Sequence, residues 1–417
     1  MVSDKRLTVL NLKGGNMLDP TSQYKTMEDL SLKGKRVLVR VDFNVPLEDG
    51  EVADDNRIRS ALPTINYLTE SGARVILTSH LGRPGGEVKE ELRLDPVGKR
   101  LSELVEPEVK KLDETVGPEV KNEIDEMDNG EIVLLENTRF NPGEKENDDE
   151  FNEKLSELAD IFVSDAFGMV HRKHSSNYGV ATKLPSAAGK LILKEVKGLN
   201  PAVESPEHPF VAIIGGKKAS SKIGALWDMV ERVDKFLIGG ALAFTFLHAQ
   251  GHIVGDSLIE ESMIDEVREF LDKVKEDRST EVMLPVDAKV SREFSAEGEV
   301  KTVDATKIPP DWMGIDIGPA TIDSYSKEIE GAKTLVWAGP LGGFELEPFQ
   351  AGTREVAQAV ADSSGYRIIG GGETGAAIKQ FGFADEMDHV STGGGACLGF
   401  LRGKELPALE ILKVEGQ

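Results

Sequence analysis

Six residues that can bind anions, Arg57, His80, Arg83, Arg139, His171 and Arg172, each follow a short apolar run in the first half of this chain. In open parallel sheets ligands bind just beyond the carboxyl ends of the strands, so the segment after each run is where chemistry is expected. The segments there read "DFN" (42–44), "HLGRP" (80–84), "NTRF" (137–140) and "AFGMVHR" (166–172), and Arg57 opens the helix after the first run. Several arginines at one sheet edge suit bidentate recognition of phosphate or carboxylate, while Asp42 and Asn44 can bond hydroxyls. The implied ligand is a small, hydroxylated, phosphorylated acid. Taken singly, each residue has a plainer explanation. A lone arginine after a strand is more often a surface ion pair, and a lone histidine a satisfied polar residue. "DFN" reads equally well as an Asx turn that ends a strand. The case rests on convergence.

The second half offers different chemistry at the same places. Its runs are followed by "GGKK", "GGAL", "GPLGGFE", "GGGETG" and "GGGA". Glycine admits close backbone approach and presents N–H groups to anions, above all at helix starts. Lys218 and Lys222 add positive charge, and Glu373 is a candidate oxygen ligand for Mg²⁺. "IIGGKKASSKIG" (213–224) is not a P-loop, which needs glycine directly before the lysine and a hydroxyl after it. A helix is expected over 217–224, with Lys218 and Lys222 on one face and Lys217 turned about 100° away, contributing mainly its backbone N–H. "GGGETG" also satisfies G-x-G-x-x-G, which raises a nicotinamide-dependent oxidoreductase as an alternative. The acid that fingerprint wants about 20 residues on is absent from "STGGGA".

The elements that must position these groups are legible in the alternation of short apolar runs with longer amphipathic stretches, the pattern of parallel sheets covered by helices. Strands are expected at 36–41, 74–79, 131–136 and 160–165, then at 210–215, 235–240, 281–286, 334–339, 366–371 and 388–393. The proline-bearing "LNPAVESPEHPF" separates the two sets and reads as a connection with few tertiary contacts. The expected fold is α/β, with domains at 24–198 and 210–400, a connection at 199–209, an N-terminal extension at 1–23 and a C-terminal segment at 401–417. Among the 417 residues Cys397 is the single cysteine, which excludes an intrachain disulfide and suits a reducing cytoplasm. A net charge of −24 argues against nucleic-acid or anionic-membrane partners, although local basic clusters can still focus field on an anion. No secretory signal is expected, and the uncharged run 236–255 reads as strand, turn and helix because glycines interrupt it.

Together the lobes are complementary, one for a phosphorylated acid and one for a polyphosphate with a metal. The natural reaction between them is phosphoryl transfer by positioning and charge neutralisation, with a hinge to unite the lobes. A noncatalytic two-lobed binding protein is a second alternative. "GKRVLVRVDFNVPL", "TSHLGRP", "ENTRF", "SDAFGMVHRKHSS", "VAIIGGKKASSKI", "VWAGPLGGFE", "GGGET" and "STGGGA", in this order, resemble the phosphoglycerate kinase family over about 30–412.

The resemblance implies two Rossmann-like, doubly wound parallel-sheet domains joined by a hinge, with the C-terminal segment packing back on the first. It implies a cytoplasmic monomer of glycolysis and gluconeogenesis that interconverts 3-phosphoglycerate and ATP with 1,3-bisphosphoglycerate and ADP, using Mg²⁺. By residue, it implies a triose-phosphate site at Asp42, Asn44, Arg57, His80, Arg83, Arg139 and Arg172. It places the nucleotide at Gly216, Lys218, Lys222, Gly239, Gly240, Pro340, Glu345, Gly371, Gly372, Glu373 and Thr374. Arg57 and Lys218 are the implied catalytic pair, and Gly394 and Gly395 stabilise the phosphate. Two departures stand out. Glu373 replaces the aspartate of "GGGDT" and is one methylene longer, and Lys217 replaces the alanine of "GGAKV" and adds a charge.

Overall fold

The structure is a computed structural model that describes residues 19–277 and 279–414. The first lobe holds β1 (Arg36–Arg40), α1 (Asn56–Glu70), β2 (Arg74–Thr78), β3 (Val109–Lys111), β4 (Ile132–Leu134), β5 (Ile161–Ser164) and β6 (Ser186–Ala188). The six strands are parallel, in the order β3-β4-β2-β1-β5-β6. A sheet covered on both faces reads as continuous apolar sequence, and β1 shows why. Val37 and Val39 pack with Ile58 and Ile65 of α1 on one face, whereas Leu38 packs with Ile124 and Phe162 on the other.

α2 (Lys190–Leu199) leads into the second lobe, with α3 (Ile223–Met229), α4 (Gly240–Ala249), α5 (Gly372–Gln380) and α6 (Gly395–Leu401). Its sheet contains β7 (Phe210–Ile214), β8 (Lys235–Ile238), β9 (Glu281–Met283), β10 (Thr334–Ala338), β11 (Tyr366–Gly370) and β12 (His389–Val390). All pair in parallel, in the order β9-β8-β7-β10-β11-β12. Each sheet reverses its winding beside its first strand, the switch point beyond which ligands bind in such folds.

Several expectations need correction. The first lobe has six sheet strands where four are expected, because β3 and β6 are three-residue edge strands too short to show a period. An antiparallel sheet of Asp287–Ser291, Lys301–Asp304 and Met313–Ile317 escapes the sequence pattern, its outer strand being largely exposed and polar. The expected strand at 388–393 is only His389–Val390. The 199–209 connection is packed at its start, where Leu199 ends α2, Ala202 is fully buried and Arg232 donates to the Ala202 carbonyl, whereas 203–209 are partly or fully exposed. Residues 1–18 of the expected extension lie outside the described residues. Its end is tied down: the Gln23 carbonyl accepts the Val414 N–H at 2.9 Å, and Tyr24 bridges Lys413. Among the described residues no helix is long and apolar enough to cross a membrane.

The waist between the lobes is a shared apolar core. Phe167, Val170, Ile192 and Val196 pack in one cluster with Ile214, Leu226, Cys397 and Leu409. Asp165, at the end of β5, caps α2 by accepting the Leu191 N–H at 2.9 Å, and complete burial pushes its carboxyl up to about 8. An unfolded aspartate titrates near ~4, so the stability this group contributes is full below that pH and is lost as pH rises toward about 8. Asp165→Asn keeps an acceptor for Leu191 but carries no charge. Its melting temperature relative to the parent is expected to climb between pH 5 and 8, and parallel curves would refute this.

Candidate functional site

Beyond β1, β2, β4 and β5 the first lobe opens a cavity of about 690 Å³ that brings together Asp42, Asn44, Arg57, His80, Arg83, Arg139, His171 and Arg172. The local sequence explains their placement. Asp54 accepts the Asn56 N–H at 2.8 Å and fixes the start of α1, so Arg57 lies in its first turn. A cation there faces the positive end of the helix dipole. Asp42 compensates, both of its oxygens accepting from Arg57 Nη1 at 3.0 Å. "DFN" is at once turn and site: Asp42 accepts the Asn44 N–H at 3.3 Å as an Asx turn does, and both side chains line the cavity. Asn44 Oδ1 in turn accepts the Gly82 N–H at 2.8 Å. Arg139 is held by donating to the Gly82 carbonyl at 2.7 Å, while Arg83 and Arg172 are exposed.

Behind this layer lies a second one that sequence reasoning missed. Arg40 is fully buried and donates to His80 Nδ1 at 2.9 Å. Burial, then the neighbouring Arg40 charge, pushes the His80 imidazole well below its usual range, so it faces the cavity neutral. Burial and Arg139 push His174 down to about 4. Burial and Arg40 also bring the Arg139 guanidinium down to about 10. Glu144 is buried beside them. Arg40 sits on β1 itself, and an arginine interrupting an otherwise apolar run was the available signal.

In the second lobe a narrower slot of about 300 Å³ lies beyond β7, β8, β10 and β11, lined by Gly216, Lys217, Gly240, Pro340, Glu345 and Glu373 together with Leu258, Phe294 and Met313. Here the expected helix at 217–224 is wrong. Lys218 is extended, Ala219–Ser221 form a single 3-10 turn, and α3 starts only at Ile223. Glu260 accepts the Ser220 N–H at 2.9 Å and competes with a helical start, so Lys218 and Lys222 share no helix face. Lys217 and Lys218 are exposed, whereas Lys222 is half-buried; burial lowers its pKa and the nearby Glu373 opposes that shift.

Gly216 and Gly240 line the slot as expected, but their N–H groups are not free for an anion. Gly216 donates to the Pro340 carbonyl and Gly240 to the Leu341 carbonyl, both at 2.9 Å, so these amides are already committed. A Cβ on Gly240, whose φ is +64°, would lie 2.7 Å from the Gly216 nitrogen, and one on Gly239 would strike Leu341. The loops interlock, and glycine is required for their mutual approach. Thr374 is buried, and its hydroxyl accepts the Gly339 N–H at 2.7 Å. Backbone donors remain at the helix starts: α5 makes its first bond from Gly375 to Gly371, and Gly394 and Gly395 precede the first bonds of α6.

An interlobe cleft of about 740 Å³ is lined by Arg57 from one lobe and by Gly371 and Gly372 from the other. Gly393, Gly394 and Gly395 reach across to line the basic cavity, and a Cβ on Gly395 would lie 3.9 Å from His171 Nε2. Glu195 of α2 steers that loop by accepting the Thr392 N–H and hydroxyl and meeting His389 Nε2, each at 2.8 Å. No described group of three or more His, Cys, Asp or Glu side chains could hold a metal, so at most the Glu345 and Glu373 carboxylates face the slot. That suits Mg²⁺ carried on phosphates, which keeps most of its shell from waters and substrate.

Comparison with known proteins agrees with this arrangement. The sequence model of the family described as Phosphoglycerate kinase matches residues 27–404. A phosphoglycerate kinase of Thermosipho africanus (strain TCF52B) is 51% identical over 388 residues, covering 92% of this chain and 96% of the relative. The structure of phosphoglycerate kinase from Coxiella burnetii superposes with a TM-score of 0.83 at 42% identity, over 93% of this chain and 98% of that one. The enzyme from Pyrococcus horikoshii OT3 gives 0.82 at 34% identity, with the same coverage. The oxidoreductase and binding-protein alternatives find no support, and "GGGETG" follows the fifth strand of its sheet rather than the first. This chain belongs to the phosphoglycerate kinase family, phosphotransferases that act on a carboxyl acceptor.

Proposed function

We propose that the basic cavity binds 3-phosphoglycerate, that the slot binds ATP or ADP, and that the lobes close about the cleft for direct transfer between them. The observation that carries this reading is Arg57, which lines both the basic cavity and the cleft opening toward Gly371 and Gly372. Arg139, Arg172 and Arg83 hold the phosphate and Asp42 and Asn44 the hydroxyl end of the acid. Its carboxylate is ionised at neutral pH, so it attacks the γ-phosphorus in line without a general base. Arg57 and Lys218 neutralise the moving group, and the free N–H groups at the starts of α5 and α6 add to this. Leu258, Phe294 and Met313 form the apolar walls for the base, with Glu345 at the rim. Soluble action in the cytoplasm as a monomer accompanies this reading.

Glu373 is exposed at the slot and would hold Mg²⁺, directly or through water. When bound, the ion supplies further neutralisation of phosphate charge. Glu373→Gln is expected to shift the Mg²⁺ titration of activity to higher concentration with little change at saturating metal. An unaltered titration would remove Glu373 from the metal. The overall reading is tested by a coupled assay for ADP formation. Turnover should require 3-phosphoglycerate, and none in its presence would overturn the assignment.

A further inference from the structure

Glu144 is a buried acid near the basic cavity that the proposed reaction leaves without a role. It is 0% exposed, in the short helical turn Gly143–Glu146 just after Arg139. We propose that Glu144 is a positioning residue for phosphoglycerate, the buried anion that balances Arg40 and Arg139 and bolts the Arg172 loop to the Arg139 loop. The proposal rests on reading the basic cavity as the phosphoglycerate site.

The first observation is contact. Glu144 Oε1 accepts the Ser176 hydroxyl at 2.6 Å, and Oε2 accepts the Ser176 N–H at 3.0 Å. Ser175 donates to the Gly143 carbonyl at 3.0 Å. Asn177 closes the same loop by donating to the carbonyls of Met169 and Arg172 at 2.7 and 3.0 Å. The segment carrying His171 and Arg172 therefore cannot shift without dragging the one that carries Arg139.

The second observation is charge. The hydrogen bonds of Arg40 run to the Val41 and Thr78 carbonyls and His80, and that of Arg139 to the Gly82 carbonyl, so no anion touches either guanidinium among the described residues. The Nε of each has no partner there. Burial lowers the pKa of both, and in both Glu144 opposes the shift. The histidines that face them, His80 and His174, are neutral near pH 7, and Asp42 is engaged with Arg57. Burial raises the Glu144 carboxyl, and the Arg40 charge, the two Ser176 bonds and Arg139 oppose that shift and favour its ionised form, which supplies compensating charge from behind without occupying the cavity itself.

Charge compensation has a consequence that packing alone would not give. Glu144→Gln keeps the shape and can still bond Ser176, but the arginines lose their internal counter-charge and an anionic substrate takes its place. The KM for 3-phosphoglycerate is expected to fall about three- to tenfold at low ionic strength, with the KM for ATP unchanged. The ligand-free melting temperature should drop, and the upshift on adding 3-phosphoglycerate should exceed the parent's. A KM that is unchanged or raised would overturn the proposal. Ser176→Ala, which keeps the charge and loses only one bond to it, covers the case in which Glu144→Gln does not fold. It should raise the KM for 3-phosphoglycerate and not lower it; an unchanged or lowered KM would refute the loop-bolting role. Arg139→Ala separates the two levels: if it leaves that KM unchanged, the cavity assignment itself fails, whereas a raised KM there beside an unmoved Glu144→Gln sinks only this inference.

Discussion

Arg57→Ala is expected to lower kcat by about 10³-fold or more, with a much smaller change in the KM for either substrate, as loss of an arginine that acts in the transition state does. The structure supplies the physical reason. Arg57 is poised rather than free, because Asp42 holds Nη1 while the side chain stays 37% exposed toward the cleft. A phosphoryl group brought in from the second lobe can use that exposed face, so the contribution of Arg57 is expected to grow on closure. Arg57→Lys should rescue poorly, since an ammonium cannot bond Asp42 and a phosphoryl oxygen with the same planar geometry. A variant whose loss is confined to KM would show Arg57 to be a binding residue only.

Lys218→Ala is expected to cost about 10²- to 10³-fold in kcat, a loss comparable to that of one preorganised donor to developing charge. Lys217→Ala should cost far less and act mainly on the KM for ATP. With no helix at 217–224, a shared helix face does not separate these neighbours. What separates them is the extended backbone at Lys218, where successive side chains point to opposite sides. Lys217 lines the slot, whereas Lys218 does not and lies near Glu260, so its proposed role requires the exposed Lys218 side chain to swing from Glu260 to the transferring phosphate. Parallel kinetics of the two variants, each with a melting curve to show it is folded, decide the matter: a crippled Lys217→Ala beside an active Lys218→Ala would reverse the assignment.

Legibility in the sequence depended on length of signal. Strands such as Phe210–Ile214 and Thr334–Ala338 are fully buried and apolar throughout, so hydrophobicity alone marked them. β3, β6 and the outer antiparallel strand carry three or four residues each, too few for a period. The site obeyed the same division. Arg139 and Arg172 lie in the connections that follow β4 and β5, where the parallel-sheet rule pointed. Glu144 and Arg40 lie buried, and only the packing of segments distant in sequence brings the Glu144 charge near enough to act on Arg40.

The sequence by itself determined two parallel sheets and the chemistry at their carboxyl edges, because burial on both faces demands apolar runs and a phosphate demands arginines, lysines and free amides. Tertiary structure alone decided which amides are free. Gly216 and Gly240 spend theirs on the Pro340 and Leu341 carbonyls, a pairing between loops more than a hundred residues apart that no local pattern encodes. It also decided the backbone at Lys218, which is extended where a helix was expected, with the Glu260 carboxylate from another loop taking the Ser220 N–H.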